Sequence, residues 1–243
     1  MNLAVEASGV TKIFGNIRAL DGLTFEVKSG EVFGLIGPNG AGKTTALRII
    51  STLLLPTYGT VRVFGLDVVK NADAVRKIIS YLPEEAGAYR YLSGWEYLEF
   101  MAKFYTRYDE EVREMVKEAA RISGLGDRLK DKISTYSKGM KRRLLVARAL
   151  MSKPKLAILD EPTSGLDVIH SYHIRETIKK YAKEYGVTVI LSSHNMLEVE
   201  HVCEKVALIN RGKVVAEGTP RELKEKFESE NLEEVFAKVI RFA

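Results

Sequence analysis

Residues Gly37 to Thr45 read GPNGAGKTT and match the pattern G-x-x-x-x-G-K-[ST] over its full length. The apolar run VFGLI at residues 32–36 precedes this stretch and predicts a buried strand. The run ALRII at residues 46–50 follows it and predicts that a helix continues there. A strand, a glycine-rich loop and a helix are thus predicted in unbroken succession.

The glycine-rich loop has the composition of a phosphate-binding site. Gly37, Gly40 and Gly42 let consecutive backbone N–H groups point inward as an anion nest, and the start of the helix adds partial positive charge. Lys43 is placed to reach the outer phosphates, and the hydroxyl of Thr44 to contact the accompanying Mg²⁺. The alternative is a glycine-rich turn before an ordinary helix, and the full length of the match argues against it. The predicted nucleotide-binding residues here are Gly37, Pro38, Asn39, Gly40, Ala41, Gly42, Lys43, Thr44 and Thr45.

The composition favours one compact unit in a reducing compartment. The 243 residues are 46% hydrophobic, which suits a packed core. The net charge of +5 is modest, and basic residues are interleaved with acidic ones, so no nucleic-acid partner is expected. Cys203 is the single cysteine, which excludes an internal disulfide framework. We expect no signal peptide in residues 1–12 and no span of ~20 apolar residues, so a role at a membrane would require a partner protein.

Residues 3–7 and 23–28, ahead of the loop, alternate between apolar and polar and predict a β-rich opening to the chain. We expect the first helix to run on to Pro56, where proline stops it. The other elements expected before Pro83 are strands at 3–7, 23–28, 60–64 and 79–82 and a short helix at 73–79.

The stretch from Glu84 to about Tyr136 contains helical patterns and no convincing strand. The sequence SGWE at residues 93–96 has the spacing of a capping box and predicts the start of one helix. A second helix is predicted at 109–122, closed by Gly124. We therefore expect a helical subdomain inserted into the chain.

Strands and helices alternate again after this insertion, which predicts a mostly parallel sheet covered by helices. A closing hairpin and an amphipathic helix follow. The fold class expected is α/β, with a mostly parallel core sheet, an N-terminal antiparallel β layer and an inserted helical subdomain. The expected elements are helices at 144–151 and 171–185, strands at 156–159 and 187–191, the hairpin 205–210 and 213–217, and a final helix from about 232.

An apolar strand ending in two carboxylates, LAILDE, occupies residues 156–161. Open α/β sheets bind ligands at the carboxyl ends of their strands, so this pair is expected near the phosphate loop. Asp160 suits the role of holding Mg²⁺, and Glu161 suits a base that orients or deprotonates the attacking water. In isolation the pair would read as a solvated acidic strand end.

The sequence YSKGM at residues 136–140 precedes the helix that leads into this strand. Here the chain resembles the ATP-binding-cassette (ABC) family, whose signature motif LSGGQ lies at this position. Ser137 and Gly139 match the motif, whereas Lys138 and Met140 replace a glycine and the glutamine. A serine and a glycine at a helix N-terminus still present N–H and hydroxyl donors to a phosphate.

Further motifs follow in the order that the ABC family has. The residues SGLD at 164–167 resemble the D-loop of that family, and His194 falls at the position of its switch histidine. Phe14, in KIFG at 12–15, occupies the place of the aromatic residue that stacks on adenine. Each feature alone has a simpler explanation as a turn, a strand-end histidine or a core phenylalanine. Together they extend the resemblance over nearly the whole chain.

One further position departs from the family pattern. The family has glutamine after the strand that ends at Pro83, where it contacts Mg²⁺ and the lytic water, and this chain has Glu84 followed by Glu85. A carboxylate can ligate Mg²⁺, yet it adds negative charge beside the triphosphate. The metal-ligand set expected from the motifs and the resemblance is Thr44, Glu84 and Asp160.

The resemblance implies the P-loop NTPase fold of ABC ATPases, with ATP and Mg²⁺ as cofactors. It also implies a head-to-tail pair with a second copy or a homologous subunit, each ATP lying between one phosphate loop and the facing Ser137 and Gly139. Lys43, Glu161 and His194 would act in hydrolysis, and Asp167 would communicate across the dimer.

The resemblance further divides the chain and implies a membrane partner. Residues 1–83 and 141–218 would form the core with its β layer, 84–140 the helical subdomain with the signature, and 219–243 a helical tail, all within one nucleotide-binding domain. The implied function is ATP hydrolysis that powers export, of the ABC-2 or multidrug type, through a separate integral membrane permease. The chain would then be cytoplasmic and peripheral on the inner face of the membrane. Either a docking patch or ordinary loop packing is expected at 84–92, with Ala88, Tyr89, Tyr91 and Leu92.

Three alternatives compete with this interpretation of the motifs. A soluble ABC ATPase in assembly or nucleic-acid processes shares the core motifs, but no coiled-coil insert or second cassette is present. A GTPase is disfavoured because no Asn-Lys-x-Asp motif occurs. His194, Glu198 and His201 have the spacing of zinc ligands on one helix, although His194 ends a strand pattern.

Overall fold

The computed structural model describes the backbone of residues 2–242, and all their side chains except those at positions 198, 241 and 242. The strands are β1 (Leu3–Phe14), β2 (Ile17–Lys28), β3 (Val32–Ile36), β4 (Tyr58–Val63), β5 (Leu66–Asp67), β6 (Ile79–Leu82), β7 (Leu156–Leu159), β8 (Thr188–Ser193), β9 (Lys205–Asn210) and β10 (Lys213–Gly218). The helices are α1 (Lys43–Ile50), α2 (Ala72–Arg76), α3 (Gly94–Ala102), α4 (Asp109–Ser123), α5 (Lys138–Leu150), α6 (Val168–Tyr185), α7 (Met196–Glu200), α8 (Pro220–Lys226) and α9 (Leu232–Phe242). The predicted α/β fold class is confirmed.

The strands form two sheets. The first is antiparallel with the order β2-β1-β4-β5, and the second has six strands in the order β10-β9-β3-β8-β7-β6. Within the second sheet β9, β3, β8, β7 and β6 are parallel, and only β10 pairs antiparallel as the second arm of the predicted hairpin. Because β3, β8 and β7 are neighbours, the residues that follow them lie along one edge of the sheet.

The central strand β3 is buried along its whole length, as expected for a strand covered on both faces. Its side chains alternate between two apolar clusters. Phe33 and Leu35 pack with α1 and the antiparallel sheet, where the Phe33 and Phe25 rings stack with centroids 5.5 Å apart. Val32 and Ile36 face the cluster built with α5. The sheet therefore has a hydrophobic core on each face.

The helical stretch between β6 and β7 follows the sequence pattern closely. Ser93 and Glu96 form the predicted capping box at the start of α3. Gly124 ends α4 in the left-handed conformation with φ +56°. The helix α5 runs without interruption across the predicted boundary at residues 140 and 141, so it joins the helical stretch to the sheet.

Two helices begin earlier than their apolar patterns predicted. α5 begins at Lys138 because the Ser137 side chain accepts a hydrogen bond from the Met140 N–H at 3.2 Å. α6 begins at Val168 because the Asp167 carboxylate accepts from the His170 N–H at 2.9 Å. In both cases the capping residue extends the helix through a polar first turn that periodicity does not detect.

The prediction that the first helix continues to Pro56 was wrong. α1 ends at Ile50, and Thr52 takes a left-handed conformation with φ +64°. The N–H groups of Leu53 and Leu54 both turn back to the Arg48 carbonyl, at 2.9 and 3.1 Å. The chain thus leaves the helix before the proline.

Among the described residues, no helix is long and apolar enough to cross a membrane.

Candidate functional site

The predicted site residues lie along the carboxyl edge of the parallel sheet. Gly37 follows β3, Asp160 and Glu161 follow β7, and His194 follows β8. The Gly37 N–H donates to the Ser193 carbonyl at 3.3 Å, which ties the phosphate loop to the end of β8. Residues distant in sequence therefore meet because their strands are neighbours.

The phosphate loop wraps a cleft of about 430 Å³. The Nζ atom of Lys43 donates to the carbonyls of Gly37 at 2.7 Å and Pro38 at 3.3 Å, so the loop is closed around its own lysine. A Cβ at Gly37 would overlap the Ile209 carbonyl oxygen, which explains the glycine there. The cleft is lined by Ala19, Asn39, Gly40, Ala41, Gly42, Lys43, Thr44, Thr45, Glu84 and Glu161.

Glu161 lies at the base of this cleft beside two possible partners. Its Oε1 atom is 3.4 Å from Lys43 Nζ, and the two side chains are only 5% and 6% exposed. Oε1 makes no hydrogen bond within the described part of the chain, so the pair with Lys43 is an ion pair at longer range. The Oε2 atom lies 2.9 Å from Nδ1 of His194. A buried carboxylate that lines the cleft, with one oxygen outside any hydrogen bond, can accept a proton from a water molecule.

The backbone of Glu161 is held in a sparsely populated conformation. Its φ is +47°, which is uncommon for a residue with a side chain. The N–H group donates to Ser192 Oγ at 2.9 Å, and the carbonyl accepts from Arg142 at 2.8 Å. Such strain persists only where the surroundings fix it, and it is frequent at functional sites.

Asp160 is fully buried at the centre of a second hydrogen-bond network. Its Oδ1 atom accepts from Ser192 Oγ at 2.6 Å and from Thr44 Oγ1 at 3.2 Å. Its Oδ2 atom accepts from the hydroxyl of Tyr81 at 3.4 Å, and burial together with the Asp160 charge raises the pKa of that tyrosine. The predicted pair of Thr44 and Asp160 is thus in contact.

These oxygens suit a hard divalent cation such as Mg²⁺. No group of three His, Cys, Asp or Glu side chains in the described chain is arranged to hold a metal alone. Mg²⁺ is commonly bound by one or two protein oxygens, with phosphate oxygens and water completing its shell. Thr44 and Asp160 would hold it, and Glu84 lies exposed on the same cleft.

Arg142 is a central residue that the sequence interpretation missed. Its side chain, 7% exposed, donates to the carbonyls of Asp160 and Glu161 at 2.7 and 2.8 Å and to that of Glu84 at 2.9 Å. It also donates to Pro83 and Pro162. Burial lowers the pKa of the Arg142 guanidinium below its ordinary value. The signal available in the sequence was its place three residues before Leu145 on the buried face of α5.

Several predicted nucleotide contacts lie outside this cleft in the same chain. Ser137 caps α5, Gly139 packs under His170, and Asp167 bonds to His170. Phe14 is 45% exposed at the β1–β2 turn, with Lys12 Nζ 4.9 Å from its ring centroid. None of these residues lines the cleft that the described chain forms around Lys43.

The alternative zinc site is not supported by the helix geometry. α7 spans only Met196–Glu200, so His194 precedes it and His201 follows it. His194 is instead bonded to Glu161. The side chain of residue 198 lies outside the described residues.

A parallel sheet with a glycine-rich phosphate loop, a buried aspartate beside the loop hydroxyl and a glutamate at the cleft defines a P-loop nucleoside triphosphatase. Residues 20–164 match the family described as ABC transporter. The chain is 40% identical over 219 residues to the linearmycin resistance ATP-binding protein LnrL of Bacillus subtilis, covering 90% of this chain and 70% of that protein. It is also 40% identical to the daunorubicin/doxorubicin resistance ATP-binding protein DrrA of Streptomyces peucetius, covering 91% of this chain and 67% of that protein.

A solved structure of another ATP-binding cassette is similar to this chain over most of its length. One chain of a dimeric ATP-binding cassette, solved in a post-hydrolysis state bound to ADP and Pi, superimposes on this chain with a TM-score of 0.79. The two are 29% identical, and the match covers 88% of this chain and 98% of that one. The chain therefore belongs to the ABC transporter family, and it is an ATP-binding and ATP-hydrolysing protein of that family.

Proposed function

We propose that this chain hydrolyses ATP as half of a head-to-tail dimer and thereby drives export through a separate membrane permease. We infer the dimer because, within one chain, only some of the predicted site residues lie at the cleft. Lys43 and Glu161 line the cleft and Asp160 bonds to Thr44 of its lining, while Ser137 and Gly139 lie outside it. A second copy would bring its own Ser137 and Gly139 to the open side of the cleft.

The residue roles follow from the contacts. Lys43 would exchange its bonds to the Gly37 and Pro38 carbonyls for the outer phosphates, with Gly40 and Gly42 shaping the nest. Glu161 would orient the attacking water and accept its proton, with His194 holding the second carboxylate oxygen. Mg²⁺, held by Thr44 and Asp160 and approached by Glu84, would neutralise phosphate charge. Phe14 would stack on adenine at the β1–β2 turn.

The membrane partner is inferred from the relatives and from one surface. LnrL and DrrA are named as resistance ATP-binding proteins, which favours export of a toxic compound. Tyr89 and Tyr91 are 57% and 89% exposed, and the ring of Tyr89 meets that of Phe100 edge-on at 5.5 Å. An exposed aromatic cluster that begins five residues after Glu84 in the chain suits docking of a permease segment. Ala88 and Leu92 are partly buried beside it.

The arrangement of the chain follows the same proposal. Residues 1–83 and 141–218 would act as the nucleotide-binding core, 84–140 as the helical subdomain that carries the signature, and 219–243 as a tail. A chain coupled to a permease in this way would lie in the cytoplasm against the inner face of the membrane. No observation favours a soluble ABC ATPase in assembly or nucleic-acid processes.

The test is the substitution Glu161→Gln, which keeps the shape of the side chain and removes the base. We expect it to bind ATP and to accumulate as a stable dimer, because closure no longer ends in hydrolysis. Sedimentation with and without ATP measures this. Lys43→Ala is the matched control and is expected to lose both ATP binding and dimerisation. Full turnover by either variant, or a Glu161→Gln protein that stays monomeric with ATP, would contradict the proposal.

A further inference from the structure

The signature residues contact the D-loop and the first turn of α6 within one chain through two glycines. The ring of His170, on α6, lies so close to Gly139 that a Cβ there would overlap its Cδ2 and Cγ atoms. Lys138 Nζ takes the corresponding position over Gly165, whose φ is +66°. We call these two contacts the reciprocal glycine contact, because each element places a side chain on the glycine of the other.

His170 is fixed on its own helix by Asp167. Its Nδ1 atom lies 2.9 and 2.8 Å from the two carboxylate oxygens of Asp167. The same carboxylate accepts from the His170 N–H at 2.9 Å and so caps α6. These hydrogen bonds lower the pKa of Asp167, which keeps the cap ionised. The ring that rests on Gly139 therefore has little freedom to turn.

The ring acts on the first turn of α5, which contains the predicted phosphate donors. Ser137 Oγ accepts from the Met140 N–H at 3.2 Å, so the orientation of Ser137 depends on that turn. His170 covers Gly139, which lies between Ser137 and Met140 in the chain, and so restrains this turn. Donors fixed in advance bind a charged ligand without the cost of ordering them on binding.

We propose that His170 is a positioning residue: it holds Ser137 and Gly139 in a fixed relation to the D-loop, so that both face the nucleotide of the partner chain as one rigid surface. The inference rests on the head-to-tail dimer of the proposed function. It assigns a role to a residue outside the nucleotide cleft and outside every motif in the sequence. His170 acts across the dimer, while the phosphate loop of its own chain is untouched.

The experiment uses the full chain in the Glu161→Gln background. His170→Ala is expected to raise the dissociation constant of the ATP-bound dimer about tenfold, since misplaced donors weaken closure. ATP binding by the monomer is expected to stay unchanged, because Lys43 and its loop do not contact His170. In the otherwise wild-type chain, His170→Ala is expected to lower kcat with KM unchanged. His170→Asn keeps a donor for Asp167 and is expected to show a smaller rise, which covers the case of poor folding by His170→Ala.

His173→Ala is the matched control on the same helix. His173 also packs against α5, but its Nε2 atom contacts Arg143 at 3.0 Å instead of the signature turn. We expect this variant to leave dimerisation unchanged. Equal losses in the two alanine variants, or no loss in His170→Ala, would overturn the inference while Glu161→Gln still dimerises. A Glu161→Gln protein that never dimerises would instead refute the proposed function and this inference with it.

Discussion

Arg142 connects α5 to the ends of β6 and β7, and these three segments must keep a fixed arrangement around the nucleotide cleft. Its guanidinium reaches the carbonyls of the β6 end, at Pro83 and Glu84, and those of the β7 end, at Asp160 and Glu161. A planar fork with five N–H donors can bond several carbonyls at once, which a lysine ammonium cannot. The strained backbone of Glu161 is one of the points held in this way.

We therefore predict that Arg142→Lys retains the charge but loses part of this network. Buried carbonyls left without a donor cost about 1 to 3 kcal/mol each, so the free energy of unfolding should fall by about 2 kcal/mol or more. The value of kcat should fall more than the affinity for ATP, because Glu161 is displaced while the phosphate loop is intact. Denaturant unfolding and steady-state ATPase assays measure the two effects.

Arg143→Lys is the control for this change. Arg143 donates to the carbonyls of Ser123 and Gly124, away from the cleft. It should lose stability without a loss of kcat. A normal kcat in Arg142→Lys would show that the network is structural only.

Glu84 stands where the resemblance to the family places a glutamine, and its side chain lies exposed on the cleft. We predict that Glu84→Gln leaves ATP affinity within about twofold and changes mainly kcat, because an exposed charge is screened by solvent. Fluorescent nucleotide binding and ATPase assays on the same preparation separate the two quantities. Glu85→Gln, outside the nucleotide cleft, should change neither. Loss of ATP binding in Glu84→Gln would exclude its placement at the Mg²⁺ and water.

At the scale of single elements, the capping box of α3 offers a direct test. Ser93 Oγ accepts from the Glu96 N–H at 3.2 Å, and the Ser93 N–H donates to Glu96 Oε2 at 2.7 Å. Ser93→Ala should lower stability by about 1 kcal/mol, since the first N–H groups of the helix lose their acceptor. Hydrogen exchange should quicken in α3. Thr219→Ala removes the equivalent box of α8 and should quicken exchange there and not in α3.

The contact between α6 and α5 predicts a dependence of stability on pH. Burial, and then the charge of Arg143, lower the pKa of His173 below its ordinary value of 6.5. The unfolded chain then binds a proton more readily than the folded chain, so the contribution to stability is present at neutral pH and is lost as pH falls below the unfolded pKa. Unfolding measured at about pH 7.5 and about pH 5.5 should show this loss. His173→Gln should lessen the difference; an unaltered difference would assign it to other groups.

The helices and strands also show how much of the fold and of the site the sequence alone predicts. The glycine pattern at 37–45 and the acidic end of β7 correctly predicted which elements meet, because the order of parallel strands brings their ends together. The end of α1 was mispredicted because Thr52 takes a left-handed conformation that no sequence rule at that position signals. Arg142 and His170 were not predicted from the sequence. Arg142 contacts carbonyl groups, and His170 contacts a glycine, that are distant in sequence and come near only in the folded chain.

At the scale of the whole molecule, the proposed dimer divides each site between two chains. One chain would supply Lys43 and Glu161, and its partner Ser137 and Gly139. A defect on one side can then be complemented by a chain that is defective only on the other side. This property distinguishes a shared site from two independent ones, because independent sites cannot exchange parts.

We predict that mixing Lys43→Ala with Ser137→Arg restores ATPase activity that neither variant has alone. A mixed dimer contains one intact site, formed by the loop of the Ser137→Arg chain and the signature of the Lys43→Ala chain. At equal amounts half of the dimers are mixed, so about one quarter of the wild-type sites should be recovered. Mixing Lys43→Ala with Glu161→Gln is the control and should restore nothing, because both defects lie on the same side of the site. An inactive first mixture would show that each chain completes its site alone.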